Sequence, residues 1–545
     1  MKNKQYNIVW LFVDGVRRYY SDDDRSKLKF MDEFAKNAVS FNNVVTSAPS
    51  TFMSLSAMMS GMPSYFINRN FDDFKFDKHK IRNLTSDLIN NNYNVYSLLM
   101  HPSTRENMIN IFPMVKNKYW ARGLSHRKWW SNDDINKTLQ KTLSMDYKTP
   151  SFFFVDYNCR LDYSTSSKVK LGYDYFLKAG FSSNNTITIL CSDHGYPDSS
   201  KETGRPEYYK KNNLSHDLIL TDDNIMIPMY IQYPGCKKGL EIDTTVSSID
   251  LYPTILDLLN LPDNNDVIGK SWIPLIEDNN EVYINMMKNR FHRTDSRLAM
   301  QSGRGTSIRN NLYKYIFYHD NIRGGGNEEF FDIIRDPLEK NNLITSEDKI
   351  ITLQIEKLKK EFHRSEHSFI NYQIEYLLSI FKEKHKNLFL NKKNILIIDS
   401  AKSLYITIIS NIIHRINKKH NLTIFQVENN YNNLDLNVNI LQSTFEKWND
   451  KNDLYIDKKF DIIVIPINYS ENRNNKNVIN FVKKISGKKL YIDYNLDNYK
   501  QPLFISQLKK IRSAWPFLKQ EPYYCITYFL DKIKGGLKKL FLKNS

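Results

Sequence analysis

Two apolar runs that break directly into acidic residues set the strongest limit on what this chain can fold into. Asn7-Ile8-Val9-Trp10-Leu11-Phe12-Val13 runs straight into Asp14-Gly15-Val16-Arg17. Far downstream, Thr186-Ile187-Thr188-Ile189-Leu190-Cys191 runs into Ser192-Asp193-His194-Gly195. Apolar runs of this length, bounded by turn residues, read as strands buried in a sheet. In an open α/β sheet, the residues just beyond the C-terminal strand ends converge on one crevice, the usual place for a ligand. Two carboxylates at two such ends therefore point to a polar site on an α/β scaffold.

A third segment brings a hydroxyl. Val39-Ser40-Phe41-Asn42-Asn43-Val44-Val45 is β-rich, and after Ala48-Pro49-Ser50 the apolar residues Phe52, Leu55, Met58 and Met59 recur at spacings of three and four. That period predicts a helix packed on a core, with Thr51 at its N-terminal end. A hydroxyl there faces unpaired backbone N–H groups and the positive end of the helix dipole, which favours a docked anion. The plainer reading of Thr51 is an ordinary N-cap. Asp14, Asp193, His194 and the Thr51 oxygen form a mostly oxygen, one-imidazole set, suited to Mg²⁺, Mn²⁺, Ca²⁺ or Zn²⁺. Metal coordination is one recognised way to activate a hydroxyl nucleophile.

These segments together resemble the sulfatase/alkaline phosphatase superfamily. Asp14-Gly15-Val16-Arg17 resembles its opening metal motif, closest in form to the nucleotide pyrophosphatase/phosphodiesterase branch. Thr51-Phe52, with Gly61 ten residues on, resembles the nucleophile helix, and Ser192-Asp193-His194-Gly195 the second metal motif. His216, followed by Leu220-Thr221-Asp222-Asp223 and Ile227-Pro228-Met229-Tyr230-Ile231, resembles the later active-site histidine and its strand. Ser248 to Leu259 resembles a helix of the family, and Glu329-Phe330-Phe331-Asp332 with Asp336-Pro337 and Asn341-Asn342-Leu343 its closing segment. The resemblance covers roughly residues 5 to 362 in the expected order. It implies a metal-dependent ester hydrolase or transferase with Asp14, Thr51, Asp193 and His194 at the metal and Thr51, His216 and Lys211 in catalysis. Arg17 and Arg160 are the implied substrate contacts, with a solvated surface arginine as the plainer alternative for Arg160.

The departures from the family pattern narrow the chemistry. Sulfatases convert a Cys or Ser to formylglycine within Cys/Ser-x-Pro-x-Arg. Ser47-Ala48-Pro49-Ser50-Thr51 places Thr where Arg belongs, and counting back from Gly61 puts the nucleophile at Thr51. Threonine cannot form the aldehyde, so a phosphate (di)ester attacked through a covalent threonine intermediate is the expected substrate. The alternatives are a sulfuric ester hydrolase or a catalytically degenerate binding scaffold. The two-metal branch supplies an Asp and a His between these motifs. Here Phe152 to Tyr163 holds Asp156 and Asp162 but no histidine, which favours one ion over two. His101 reads as a loop histidine, and Cys191 as buried packing.

At 545 residues the chain is too long for one core. Residues 1–362 are expected to form an alkaline-phosphatase-like domain, a mostly parallel sheet flanked by helices. Residues 363–388 read as a helical linker. Residues 389–507 read as a smaller Rossmann-like α/β domain with strands beginning near Asn394, Leu422, Phe460 and Lys489. Its first turn, Asp399-Ser400-Ala401-Lys402-Ser403, has no glycine fingerprint, so dinucleotide binding is not expected. Cys159, Cys191, Cys236 and Cys525 show no spacing for a disulfide framework or zinc clip.

The net charge of +17 is uneven. Residues 508–545 carry nine Lys or Arg against Glu521 and Asp531, with Ile526, Phe529, Leu530, Ile533, Leu537, Leu540 and Phe541 on a three-four stripe. A basic amphipathic tail of this kind predicts an anionic membrane surface as partner. The alternative is a terminal helix docked on its own domain. No nucleic-acid motif accompanies the charge. No signal peptide or spanning run is legible, so a cytoplasmic enzyme, peripheral at the inner membrane face, is expected. Its substrate would be a small-molecule, lipid-linked or glycan phosphoester.

Overall fold

The computed structural model describes residues 5–18, 28–67, 82–99, 131–144, 149–158, 164–196, 216–262, 267–296, 305–318, 328–385, 387, 389, 391, 393–398, 403–426, 439–442, 460–466 and 488–492. Arg160, Lys211, His101, Asp162 and the basic tail 508–545 lie outside the described residues. The chain divides into two compact units, Met1–Arg364 and Ser365–Ser545. The division falls within one long helix, Lys349–His385.

The first unit is built on an eight-stranded sheet with strands β1 (Asn7–Asp14), β2 (Val39–Val45), β3 (Asn94–Leu98), β4 (Ser151–Asn158), β5 (Thr186–Cys191), β6 (Met226–Gln232), β7 (Leu240–Ile242) and β8 (Val246–Ser247). The order is β3-β4-β1-β5-β6-β2-β7, with β8 paired to β2. β3, β4, β1 and β5 are mutually parallel, β6 is antiparallel to β5, and β2 is antiparallel to β6. Among the described residues β6 is thus the one reversed strand of this sheet, and the unit is mixed α/β with a mostly parallel sheet, as expected.

Why β1 is apolar throughout follows from its place at the centre. Its even residues Ile8, Trp10 and Phe12 enter one core, with Phe152, Phe154, Ile187, Ile189 and the helices Thr51–Ser60 and Leu251–Leu258. Its odd residues Val9, Leu11 and Val13 enter the opposite core, with Phe153, Val155 and the helices Lys29–Ala35, Asn132–Leu143 and Ser164–Lys178. A strand covered by helices on both faces carries no polar alternation.

The helix Thr51–Ser60 starts at the N-cap Ser50, which is extended, and stops at Gly61 with φ +66°, a left-handed C-cap. A Cβ at Gly61 would lie 2.8 Å from Tyr252 Cδ1, so glycine serves both the turn and the close approach. Leu55, Met58 and Met59 are fully buried beneath it. Each such burial is worth about 1.5–3 kcal/mol.

A second, antiparallel sheet follows, β12-β11-β10-β9, made of β9 (His292–Asp295), β10 (Gly305–Arg309), β11 (Tyr313–Tyr318) and β12 (Glu328–Asp332). Its first strand, His292-Arg293-Thr294-Asp295, is mostly buried yet polar in sequence, so no apolar alternation announces it. A buried ion network ties it to the residues that lead into β6. Arg309 Nη1 donates to Asp222 Oδ2 at 2.7 Å and Lys314 Nζ to Asp222 Oδ1 at 2.7 Å. Lys314 also pairs with Glu339, whose Oε2 accepts the Asp222 backbone N–H at 2.7 Å. Burial opposes the charge on Asp222, but Arg309 and Lys314 outweigh it and hold the carboxyl at about 2.

The second unit contains a five-stranded, all-parallel sheet ordered β15-β14-β13-β16-β17. Its strands are β13 (Asn394–Ile398), β14 (Asn421–Gln426), β15 (Asn439–Gln442), β16 (Ile462–Pro466) and β17 (Lys488–Ile492), with a helix at Ser403–Ile416. Among the described residues, no helix is long and apolar enough to cross a membrane.

Removing one partner of a buried pair strands the others. Lys314→Ala should therefore lower the unfolding free energy by about 3–5 kcal/mol, read by urea denaturation. A loss under about 1 kcal/mol would show that the network does not brace the fold.

Candidate active site

β1 and β5 lie side by side and parallel, with Phe12 level with Cys191. Asp14 and Asp193 consequently leave neighbouring strands at the same edge. Two main-chain bonds stitch the exits together. Gly15 N–H donates to Asp193 Oδ1 at 3.2 Å, and Val16 N–H donates to Ser192 Oγ at 2.9 Å. Ser192 Oγ in turn donates to the His194 carbonyl at 2.8 Å. Gly15 makes its turn with φ +77°, a conformation open to glycine at little cost.

Thr51 reaches this edge from the other side. Its Oγ1 lies 3.4 Å from Asp14 Oδ1 and 3.2 Å from His194 Nε2. Ser50, not Thr51, is the N-cap, so the threonine hydroxyl sits on the first helical residue and faces the acidic group. One turn further along the same face, Ser54 Oγ donates to the Asp193 carbonyl at 2.8 Å and lies 2.8 Å from Thr46 Oγ1. Ser47 faces elsewhere. It is 1% exposed, its Oγ accepts the Ser64 N–H at 2.8 Å, and its carbonyl accepts the Ser64 hydroxyl at 3.0 Å.

Asp14, Asp193 and His194 offer ligand atoms that all lie within 4.8 Å of one another. The fit to a divalent cation rests on three observations. His194 Nδ1 lies 2.5 Å from the Gly195 carbonyl, an acceptor, so Nδ1 carries the proton and Nε2 presents its lone pair. That Nε2 is 3.2 Å from Asp193 Oδ2 and 3.7 Å from Asp14 Oδ1. Adjacent ligands on an ion bound at about 2.0–2.4 Å sit about 3–3.5 Å apart, which these separations approach. Finally, Asp193 Oδ2 is buried and has no hydrogen-bond partner. A buried carboxylate oxygen left without a donor is costly unless a cation compensates it. Burial pushes the His194 imidazole down, yet Asp193 and then Asp14 outweigh it and leave the ring above its ordinary value.

His216 completes the cluster. It stacks on His194 with ring centroids 4.9 Å apart and planes at 29°, and Tyr196 lies 5.5 Å from it on centroids. His216 Nε2 is 2.8 Å from Asp217 Oδ1. It stands at this edge because β6 is reversed, so the residues before β6 meet the residues after β1 and β5. Gly195 is where the two sets touch. A Cβ there would fall 2.1 Å from the Asp223 carbonyl oxygen and 3.0 Å from Arg17 Cβ. Arg17 therefore flanks the site, and its charge partly offsets the burial that raises the Asp223 carboxyl.

Of the residues singled out from sequence, the structure brings together Asp14, Thr51, Asp193, His194 and His216, with Arg17 alongside. Arg160 and Lys211 are not among the described residues. Asp156 is buried on β4 and does not join the Asp14–Asp193–His194 group. Ser54 and Asn224 shape the site yet escape a reading from sequence. For Ser54 the spacing of three from Thr51 on one helix is a usable signal.

The fold and the acidic edge define an α/β scaffold with a candidate metal site at its strand ends. Residues 215–368 match the N-sulphoglucosamine sulphohydrolase C-terminal family. Arylsulfatase K of Homo sapiens is 27% identical over 191 residues, covering 34% of this chain and 31% of that protein. Arylsulfatase K of Danio rerio is 36% identical over 93 residues, covering 17% and 16%. The match thus spans under a third of these relatives' length. The structure of a 2-O GAG sulfatase superposes with TM-score 0.50 at 16% identity, covering 68% of this chain and 93% of that one. An enzyme solved with its substrate D-glucosamine-2-N,6-O-disulfate gives TM-score 0.51 at 13% identity, covering 67% and 98%. Residues 215–368 thus resemble a sulfatase family, and the fold of the first unit resembles that of solved sulfatases.

If the acidic group holds a cation, removing a ligand should cost at least the about 10–100-fold in affinity that an outer-shell partner commands. Calorimetric titration with Mn²⁺ is expected to show this for Asp193→Asn. Equal affinity in the variant and the parent would rule the site out.

Proposed function

We propose that this chain cleaves or transfers phosphate esters, with the Thr51 hydroxyl as nucleophile. The observation that carries the reading is the position of Thr51 Oγ1, 3.2 Å from His194 Nε2 and 3.4 Å from Asp14 Oδ1, while the Ser47 hydroxyl is buried and bonded to Ser64. A divalent ion held by Asp14, Asp193 and His194 would act as a Lewis acid on nearby oxygens.

The chain's own residues do the rest. Thr51 Oγ1 loses its proton to water and attacks phosphorus in line; the ester P–O bond breaks, its electron pair departs on the ester oxygen, and the phosphoryl group stays on threonine. His216, oriented by Asp217, stabilises charge on the departing oxygen, a role Lys211 is expected to share. Water or an acceptor hydroxyl then attacks the phosphorus and frees Thr51. Arg17 supplies positive charge beside the reacting group. The first helical turn adds backbone N–H groups that favour the developing anion.

A second reading has its own support. The arylsulfatase relatives and the N-sulphoglucosamine sulphohydrolase family favour sulfated substrates, D-glucosamine-2-N,6-O-disulfate in the neighbour solved with its substrate. Against it stands the side chain itself, because threonine cannot become formylglycine. The two readings separate on bis-p-nitrophenyl phosphate and p-nitrocatechol sulfate. We expect turnover of the phosphate ester, retained in Thr51→Ser and reduced at least about thousandfold in Thr51→Ala. Faster turnover of the sulfate than the phosphate would transfer the assignment to the sulfatase reading. Full activity in Thr51→Ala would end the threonine reading.

A further inference from the structure

One fully buried side chain touches both halves of the site. Asn224 has no exposure to solvent. Its Nδ2 donates to the His216 carbonyl at 2.7 Å and to the Ile219 carbonyl at 2.8 Å. Its backbone carbonyl accepts the Gly195 N–H at 2.8 Å, and its own N–H donates to the Thr221 carbonyl at 2.9 Å. The side chain thus holds the segment of His216, and the main chain holds the segment of His194. These are the two segments whose imidazoles stack.

We propose that Asn224 is a positioning residue that sets His216 face to face with His194, and so fixes the leaving-group imidazole relative to Thr51. The proposal rests on the roles given above to Thr51 and His216. The chemistry requires an amide. Both Nδ2 protons are used on carbonyls, whereas Oδ1 is buried without a hydrogen-bond partner. Leaving that acceptor unmade costs free energy, so the residue is kept for its donors. Aspartate has the same shape but would turn an anion toward two carbonyl oxygens.

The two kinds of contact can be separated. Asn224→Ala removes both donors but keeps the carbonyl that receives the Gly195 N–H. The variant should release His216 and spare the Asp14–Asp193–His194 group. A residue that merely supports the fold would disturb both.

The test uses the full chain with Mn²⁺ and bis-p-nitrophenyl phosphate. Asn224→Ala is expected to lower kcat about 30–100-fold, the scale of a roughly 1 Å misplacement, with KM and Mn²⁺ affinity within about twofold of the parent. In a His216→Ala background, adding Asn224→Ala should cost nothing further. Multiplicative losses in the double variant, or a matching fall in Mn²⁺ affinity, would overturn the proposal.

A second measurement does not depend on turnover. With ¹³C-labelled histidine, the His216 ring signal should lose its stacking shift in both Asn224→Ala and Asn224→Asp. An unmoved His216 signal would also overturn it. If His216→Ala leaves kcat intact, the catalytic reading of His216 fails, while the ring signal still decides whether Asn224 places it.

Discussion

The site depends on one pairing, that of β1 with β5. Because these strands run parallel and in register, Asp14 and Asp193 leave the sheet side by side. Two like charges brought together in this way repel, and Asp193 is fully buried from the solvent that would screen them. The Gly15 and Val16 N–H groups, aimed at Asp193 Oδ1 and Ser192 Oγ, offset part of that cost. What they leave is Asp193 Oδ2, buried and without a donor, beside the open face of His194. The geometry is that of a group arranged around a positive charge.

The second constraint is the reversal of β6. A parallel strand in that place would begin at the far edge and carry His216 and Asn224 away from Asp14. Reversed, it brings its preceding residues against Gly195, where only a hydrogen fits. The Asp222–Arg309–Lys314–Glu339 network then anchors this approach to the smaller sheet. Stability and site geometry are joined there. The same turn that satisfies buried charges also presents the Asn224 amide to the His216 segment.

Much of this was legible from residues alone, for physical reasons. β1 is covered on both faces, so its apolar run is unbroken. The helix behind Thr51 shows its period because one side packs on the core. Asp14, Thr51, Asp193 and His194 announce themselves because their chemistry is rare just past buried strands. β9 does not, since His292-Arg293-Thr294-Asp295 is a mostly buried strand of polar residues held in part by the Arg293–Asp295 ion pair. Asn224 was invisible for a related reason. Its partners are main-chain carbonyls and an N–H, which leave no trace in composition. Asp222 finds its partners 87 and 92 residues away, beyond any local pattern.

The names of the relatives and the chemistry of Thr51 pull in different directions. The relatives carry sulfatase names, yet the hydroxyl at the acidic edge belongs to a residue that cannot form their aldehyde. A superfamily fold hosts more than one chemistry, and function has to be argued from the site. The most direct measurement is rapid quenching of the full chain with a phosphodiester substrate and Mn²⁺, followed by peptide mass spectrometry. The account predicts a phosphoryl adduct on Thr51 that disappears on longer incubation. An adduct on another residue, or an aldehyde-mass loss at Ser47 with sulfate turnover, would contradict it.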